Sequence, residues 1–310
     1  MTVSILFVAT VIFLSVLANK LSNKFGMPTL ILFMFIGMLF GSDGIFKIHF
    51  DNFELTETVC SMALVFIMFY GGFNLKWKLA RPIAVQEVLL STVGVAVTAG
   101  VTTVLCRGFL DMSWIESFLI GAVLSSTDAA SVFSILRQKK LNLRDGTASL
   151  LEMESGSNDP MSYMLTVIAI GMMGARSSEN ILLSIYFMGI IVGNSRIKNK
   201  EILIPFFDGV TSLAQILIFF LLGLLTFPHK MPEIMLAALA VAVFITLVAR
   251  PVAVFLLLLP FQCSIRQCLL VSFAGLRGAA SSVFAIMVVA SGASISYDLF
   301  HIVFMVSLFS

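Results

Sequence analysis

The chain has 310 residues, with 19 Lys and Arg against 17 Asp and Glu, a formal net charge of +2. Hydrophobic residues make up 59% and charged residues only 12%, about half the charged share of a soluble domain. A soluble enzyme needs a charged shell that this chain cannot supply, a disordered chain needs the opposite composition, and a nucleic-acid binder needs a basic surplus. A polytopic membrane protein is what remains.

Apolar runs occur, in order, at about 2–18, 27–41, 57–73, 85–106, 115–137, 147–173, 180–193, 208–227, 232–259, 267–290 and 298–310. They are continuous rather than alternating, which excludes a transmembrane barrel and predicts an all-α bundle of about eleven transmembrane helices. The first run lacks a basic leader and an A-x-A site, so it reads as a span rather than a cleaved signal. With the N-terminus outside, the inner connections hold 13 basic residues and the outer ones 4 (Lys47, Arg107, Arg176 and Lys230), leaving Arg250 and Arg277 inside spans. That asymmetry is what the positive-inside rule expects. The chain therefore reads as one transmembrane domain over 1–310, multi-pass in the cell membrane, with no soluble domain. Four cysteines without a CxxC pair and three scattered histidines predict free, buried thiols, no metal cluster and no cofactor.

Three polar stretches interrupt the apolar pattern. Ser125-Ser126-Thr127-Asp128 falls within the fifth run. Its hydroxyls compete with the helix ladder, so the stretch reads either as a helix break that faces a small cation or as a polar packing seam. Asp128 itself favours the first reading, because a carboxylate at mid-span costs on the order of 3 kcal/mol to insert. The second stretch, Glu152 to Pro160, carries three carboxylates in the sixth run. Helical spacing puts Ser155 and Asp159 on one face and Glu154 and Asn158 on another. Pro160 has no N–H, so the Gly156 carbonyl loses its ladder partner and becomes a candidate ligand. The third, Gly275 to Ser282, surrounds Arg277 with small residues that admit another helix. A buried guanidinium needs a carboxylate, and Glu154 is the expected partner in a structural ion pair. Arg250, followed by Pro251, reads instead as a snorkelling side chain at a kink.

These stretches resemble the NhaP-type branch of the monovalent cation:proton antiporter-1 family. Thr127-Asp128 is similar to its TD motif, Glu154 to Pro160 to its ESGSNDP motif, and Gly275 to Ala279 to its GLRGA motif; Val192 to Ile197 and Phe207 to Leu225 also match family segments. The resemblance implies an antiporter-like bundle with discontinuous helices that exchanges Na⁺ or K⁺ for H⁺, assembled as a homodimer in the lipid bilayer. Asp159 would be the exchanging carboxylate, Asp128, Thr127 and Ser155 further ion ligands, and Asn158 a further residue of the ion and proton site and the mark of electroneutral members. The Glu154–Arg277 pair would be structural. Two departures stand out. Tyr70 occupies the position before Gly71-Gly72 where many relatives carry an acid, and only Gly174 to Asn180 stands where relatives have about two more spans, as an internal deletion would leave it.

The mechanism expected is competition for one buried carboxylate, Asp159, between a proton and a partly dehydrated cation, with its proton affinity balanced near neutral pH. A transport-inactive remnant of the fold, an intramembrane aspartyl protease using Asp128 and Asp159, and an uncoupled cation channel are the alternatives.

Overall fold

The computed structural model describes residues 29–75, 84–128, 147–175, 181–195, 200–295 and 298–310, with positions 132, 136, 143 and 197 besides. The first expected span and most of the second half of the fifth lie outside the described residues. Eleven helices are described: α1 (Thr29–Phe40), α2 (Phe53–Asn74), α3 (Ala84–Phe109), α4 (Trp114–Val123), α5 (Thr147–Met172), α6 (Ile181–Asn194), α7 (Lys200–Leu225), α8 (Pro228–Phe261), α9 (Ile265–Phe273), α10 (Ala279–Ala290) and α11 (Leu299–Phe309). Of these, α2, α3, α7 and α8 are each long and apolar enough to cross a membrane. Large apolar side chains such as Phe66, Val104, Phe187, Leu236 and Leu256 point outward, as a lipid-facing surface requires.

Water-facing ends are closed by polar caps. Ser113 and Glu116 form a reciprocal capping box on α4, Asn52 caps α2 and Ser264 caps α9. The connections gather at two opposite ends, as the alternating topology predicts. At one end His229 reaches Asp43, and the Phe227 amide donates to His301 Nε2. At the other, Asn194 donates to the Leu75 carbonyl.

Helices α1, α2, α6 and α7 pack as one group, and glycines set their spacing. A methyl group on Gly37 of α1 or Gly223 of α7 would run into the backbone of the facing helix, so these two helices meet main chain to main chain. Helices α3, α4, α5 and α8–α11 form the second group, and α2 and α6 lie against its central helix, α5.

Two interruptions organise this second group. The expected break at 125–128 is present: α4 stops at Val123. A second break, over 274–278, divides the tenth expected span into α9 and α10, where the sequence had suggested only a packing seam.

Candidate functional site

The two interruptions cross. Asp128 N–H donates to the Leu276 carbonyl at 2.7 Å in an isolated antiparallel bridge. The crossing is tight because small residues occupy it. A Cβ on Gly275 would press on Thr127 and the Arg250 guanidinium, and one on Gly278 would overlap Asp128. The C-terminal end of α4 and the N-terminal end of α10 thus meet inside the bundle, bringing exposed carbonyls and amides to one point. Each end is answered by a side chain of opposite sign. Arg277 Nη1 donates to the Ser126 carbonyl at 2.8 Å, and the Asp128 carboxylate lies against Gly278, the N-cap of α10.

Helix α5 passes this crossing without stopping, although Pro160 lies inside it. The carbonyl freed at Gly156 is bordered by Gly71 of α2, so the expected ligand carbonyl is turned toward the neighbouring helix. Asp159 accepts a hydrogen bond from Ser126 Oγ, and Ser155 Oγ donates to the Thr127 carbonyl at 3.2 Å. Ser155 and Asp159 are half-buried, whereas Glu154, Asn158, Ser126 and Thr127 are buried. Asn158 Nδ2 donates to Thr127 Oγ1 and to Glu154 Oε1 (3.2 Å), binding the interrupted chain to α5.

The expected Glu154–Arg277 pair is not the pair that forms. Arg250 Nη2 donates to both Glu154 oxygens at 2.8 Å, and each side chain of this pair is 1% exposed. Arg250 therefore does not snorkel. It lies eleven residues from the end of α8 at Phe261, about 16 Å along the axis, too deep for its stem to reach water. A π-helical turn over Ile245–Ala249 immediately precedes it and sets its direction into the bundle.

The structure brings together Asp159, Ser155, Thr127, Asn158 and Glu154, places Asp128 at the head of α10, and assigns Arg277 to a backbone carbonyl. Sequence reasoning missed Ser126 as the direct partner of Asp159 and Arg250 as the partner of Glu154. The signal for Arg250 was its depth in the longest apolar run. Tyr70 resolves the other departure: its hydroxyl donates to Asp208 of α7 at 2.6 Å, so a carboxylate arrives there from a different helix.

Crossed, interrupted helices inside an apolar bundle define a class, polytopic membrane proteins built on opposed half-helices. The sodium/hydrogen exchanger transmembrane profile matches residues 8–193 and 178–310, and the chain belongs to that family. It is similar to the K(+)/H(+) antiporter NhaP of Alkalimonas amylolytica, 31% identical over 367 residues that take in 99% of this chain and 64% of the relative. It is also 33% identical to the K(+)/H(+) antiporter NhaP2 of Shewanella sp. (strain ANA-3), over 95% of this chain and 62% of the relative. The chain thus spans a little under two thirds of the length of these curated relatives. Its fold matches the solved structure of the sodium proton antiporter MjNhaP1 from Methanocaldococcus jannaschii with a TM-score of 0.87 at 19% identity, covering 100% of this chain and 98% of that one.

Proposed function

We propose that this protein exchanges a monovalent cation, K⁺ or Na⁺, for protons across the membrane by competition for the Asp159 carboxylate. The observation that carries the reading is the position of Asp159, half-buried and hydrogen-bonded to Ser126 where α4 and α10 break off. The relatives named as K(+)/H(+) antiporters support the same exchange. A hard alkali ion requires oxygen ligands to replace its hydration shell. Asp159, Ser155, Asp128 and Thr127 supply them, and Ser126 adds a hydroxyl the sequence did not single out. Asn158, Glu154 and Arg250 hold the frame. With a proton on Asp159 the ion loses that carboxylate, and Asp128, drawn to the head of α10, does not replace it, so each crossing carries one species. Access alternates as the group containing α5 moves against the glycine-packed group of α1, α2, α6 and α7.

Homodimer assembly and an outside N-terminus belong to the same proposal; the mass of the solubilised particle and cysteine accessibility of the 41–52 connection test them. So does loss of a pair of spans near 174–180. Two facts support that loss: the family profile matches in two pieces that meet at 178–193, and the alignment of 367 residues holds only about 307 of this chain, leaving about 60 positions opposite nothing. The same gap favours one second reading, a transport-inactive remnant. Purified protein in proteoliposomes decides: cation-driven pH change that Asp159→Asn abolishes supports exchange. Exchange that survives Asp159→Asn rejects the mechanism, and silence of this chain beside activity of a version with the two helices restored identifies the remnant.

A further inference from the structure

Glu87 is 5% exposed, on the first turn and a half of α3, and among the described residues no basic group lies within ion-pair distance of it. Its carboxyl group meets the hydroxyls of Ser91 and Ser157, and Ser157 Oγ lies 2.6 Å from the Tyr186 hydroxyl. Three helices contribute: Ser91 sits in a π-helical turn of α3 (Leu90–Gly94), Ser157 on α5 two residues before Asp159, and Tyr186 on α6. Such π turns are frequent at functional sites because they re-aim side chains out of helical register. Glu154 of α5 is the charged group that acts directly on Glu87. Arg250 of α8, which also packs against α3, is taken up by Glu154.

A buried carboxylate with two neutral hydroxyls beside it and no cationic partner among the described residues cannot stay bare, because burying an unpaired charge is too expensive. It must hold a proton or a cation, and the hydroxyls can donate to its charged form or turn their oxygens toward an ion. The Ser157–Tyr186 contact also joins the two helix groups that the exchange reading moves past one another.

We propose that Glu87 is a second ion-accepting acid of the pathway, a station where an alkali cation displaces a proton before reaching Asp159. This rests on the exchange reading. It places the station toward the end of α3 near Cys263, where Gln86 Nε2 lies 3.9 Å from Cys263 Sγ, the end that charge distribution puts inside. The cation takes the carboxylate, and the proton it displaces leaves to the aqueous side that is open.

The test uses full-length protein, with Na⁺ and K⁺ as probes. In proteoliposomes, Glu87→Gln should raise the half-saturating cation concentration about tenfold and move the pH midpoint of exchange by about one unit, with Glu87→Asp recovering most of both. Independently, cation-induced infrared difference spectra of the purified protein should show two carboxyl bands, one lost in Glu87→Gln and the other in Asp159→Asn. Wild-type cation and pH dependence in Glu87→Gln, or a single band lost only with Asp159, overturns the proposal. Two bands in a wild-type chain that exchanges nothing would leave Glu87 as an ion site and reject the exchange reading instead.

Discussion

Replacing Arg250 by Met removes the guanidinium that holds both oxygens of Glu154 at 2.8 Å, in a pair 1% exposed on each side. The carboxylate left behind keeps only the hydrogen bonds from Asn158 and Thr127. Stranding a buried charge in this way costs about 3–5 kcal/mol. With roughly 2–4 °C of melting temperature per kcal/mol in large domains, the detergent-solubilised variant should melt about 10 °C below the parent. Arg277→Met forfeits a single charged hydrogen bond to the Ser126 carbonyl, worth about 1.5–3 kcal/mol, and should fall less. Pairing Arg250→Met with Glu154→Gln removes both charges and should restore about 2 kcal/mol or more, a coupling that Arg277→Met with Glu154→Gln should lack. Thermal unfolding of these four variants and of Glu154→Gln alone, followed by tryptophan fluorescence or by size-exclusion after heating, measures all of this. If Glu154 couples to Arg277 and not to Arg250, the ion-pair assignment is wrong.

Ser126→Ala removes the hydroxyl that donates to Asp159. A charge-assisted bond of this kind favours the carboxylate, so its loss should shift the pH profile of exchange to higher pH by about one unit, measured as cation-driven fluorescence dequenching in proteoliposomes. Gly278→Ala puts a methyl group into Asp128 at the crossing of the interrupted helices; it should cost about 1–3 kcal/mol and lower the monodisperse yield, while Gly171→Ala, which meets open space, should not. At the connection-rich end, the hydrogen bonds from His229 hold the Asp43 carboxyl below its ordinary value, and those from His301 outweigh burial to do the same for Asp298. Carboxyls lowered in the folded state stabilise it above their unfolded pKa and lose that contribution as pH falls through the folded value. Acidification should therefore raise amide hydrogen exchange at 41–46 and 298–301 first, and Asp43→Asn together with Asp298→Asn should flatten that response.

Much of the architecture was legible because it rests on length and continuity. Each apolar run that falls within the described residues is met by helix, and the Ser125–Asp128 interruption follows from three hydroxyl-bearing residues competing with one helical ladder. The span at 208–227 was read too short. Lys200, Glu201 and Asp208 are polar, yet α7 starts at Lys200, with Glu201 exposed and Asp208 held by Tyr70. The break at 274–278 was hidden because Gly, Leu, Arg and Gly suit close packing as well as they suit unwinding. Nothing local separates the two until Leu276 finds Asp128 across the bundle. Partner choice was the least legible feature. Arg250 and Arg277 are chemically identical, and which one meets Glu154 depends on how α8 is rotated by its π turn. Asp159 stood out in the sequence by depth and spacing, with its exchanging role implied by the family resemblance, whereas its hydroxyl partner Ser126 had to come from the fold.

In the proposed exchange one carboxyl holds a proton or a cation and never both. Proton release on adding K⁺ or Na⁺ to the weakly buffered, purified protein tests it most directly. Competition predicts that protons leave as cation binds, that apparent cation affinity falls about tenfold for each pH unit below the carboxyl's own pKa, and that Asp159→Asn abolishes the Asp159 share of the release. Cation binding of undiminished affinity at low pH, or full release from Asp159→Asn, would contradict it.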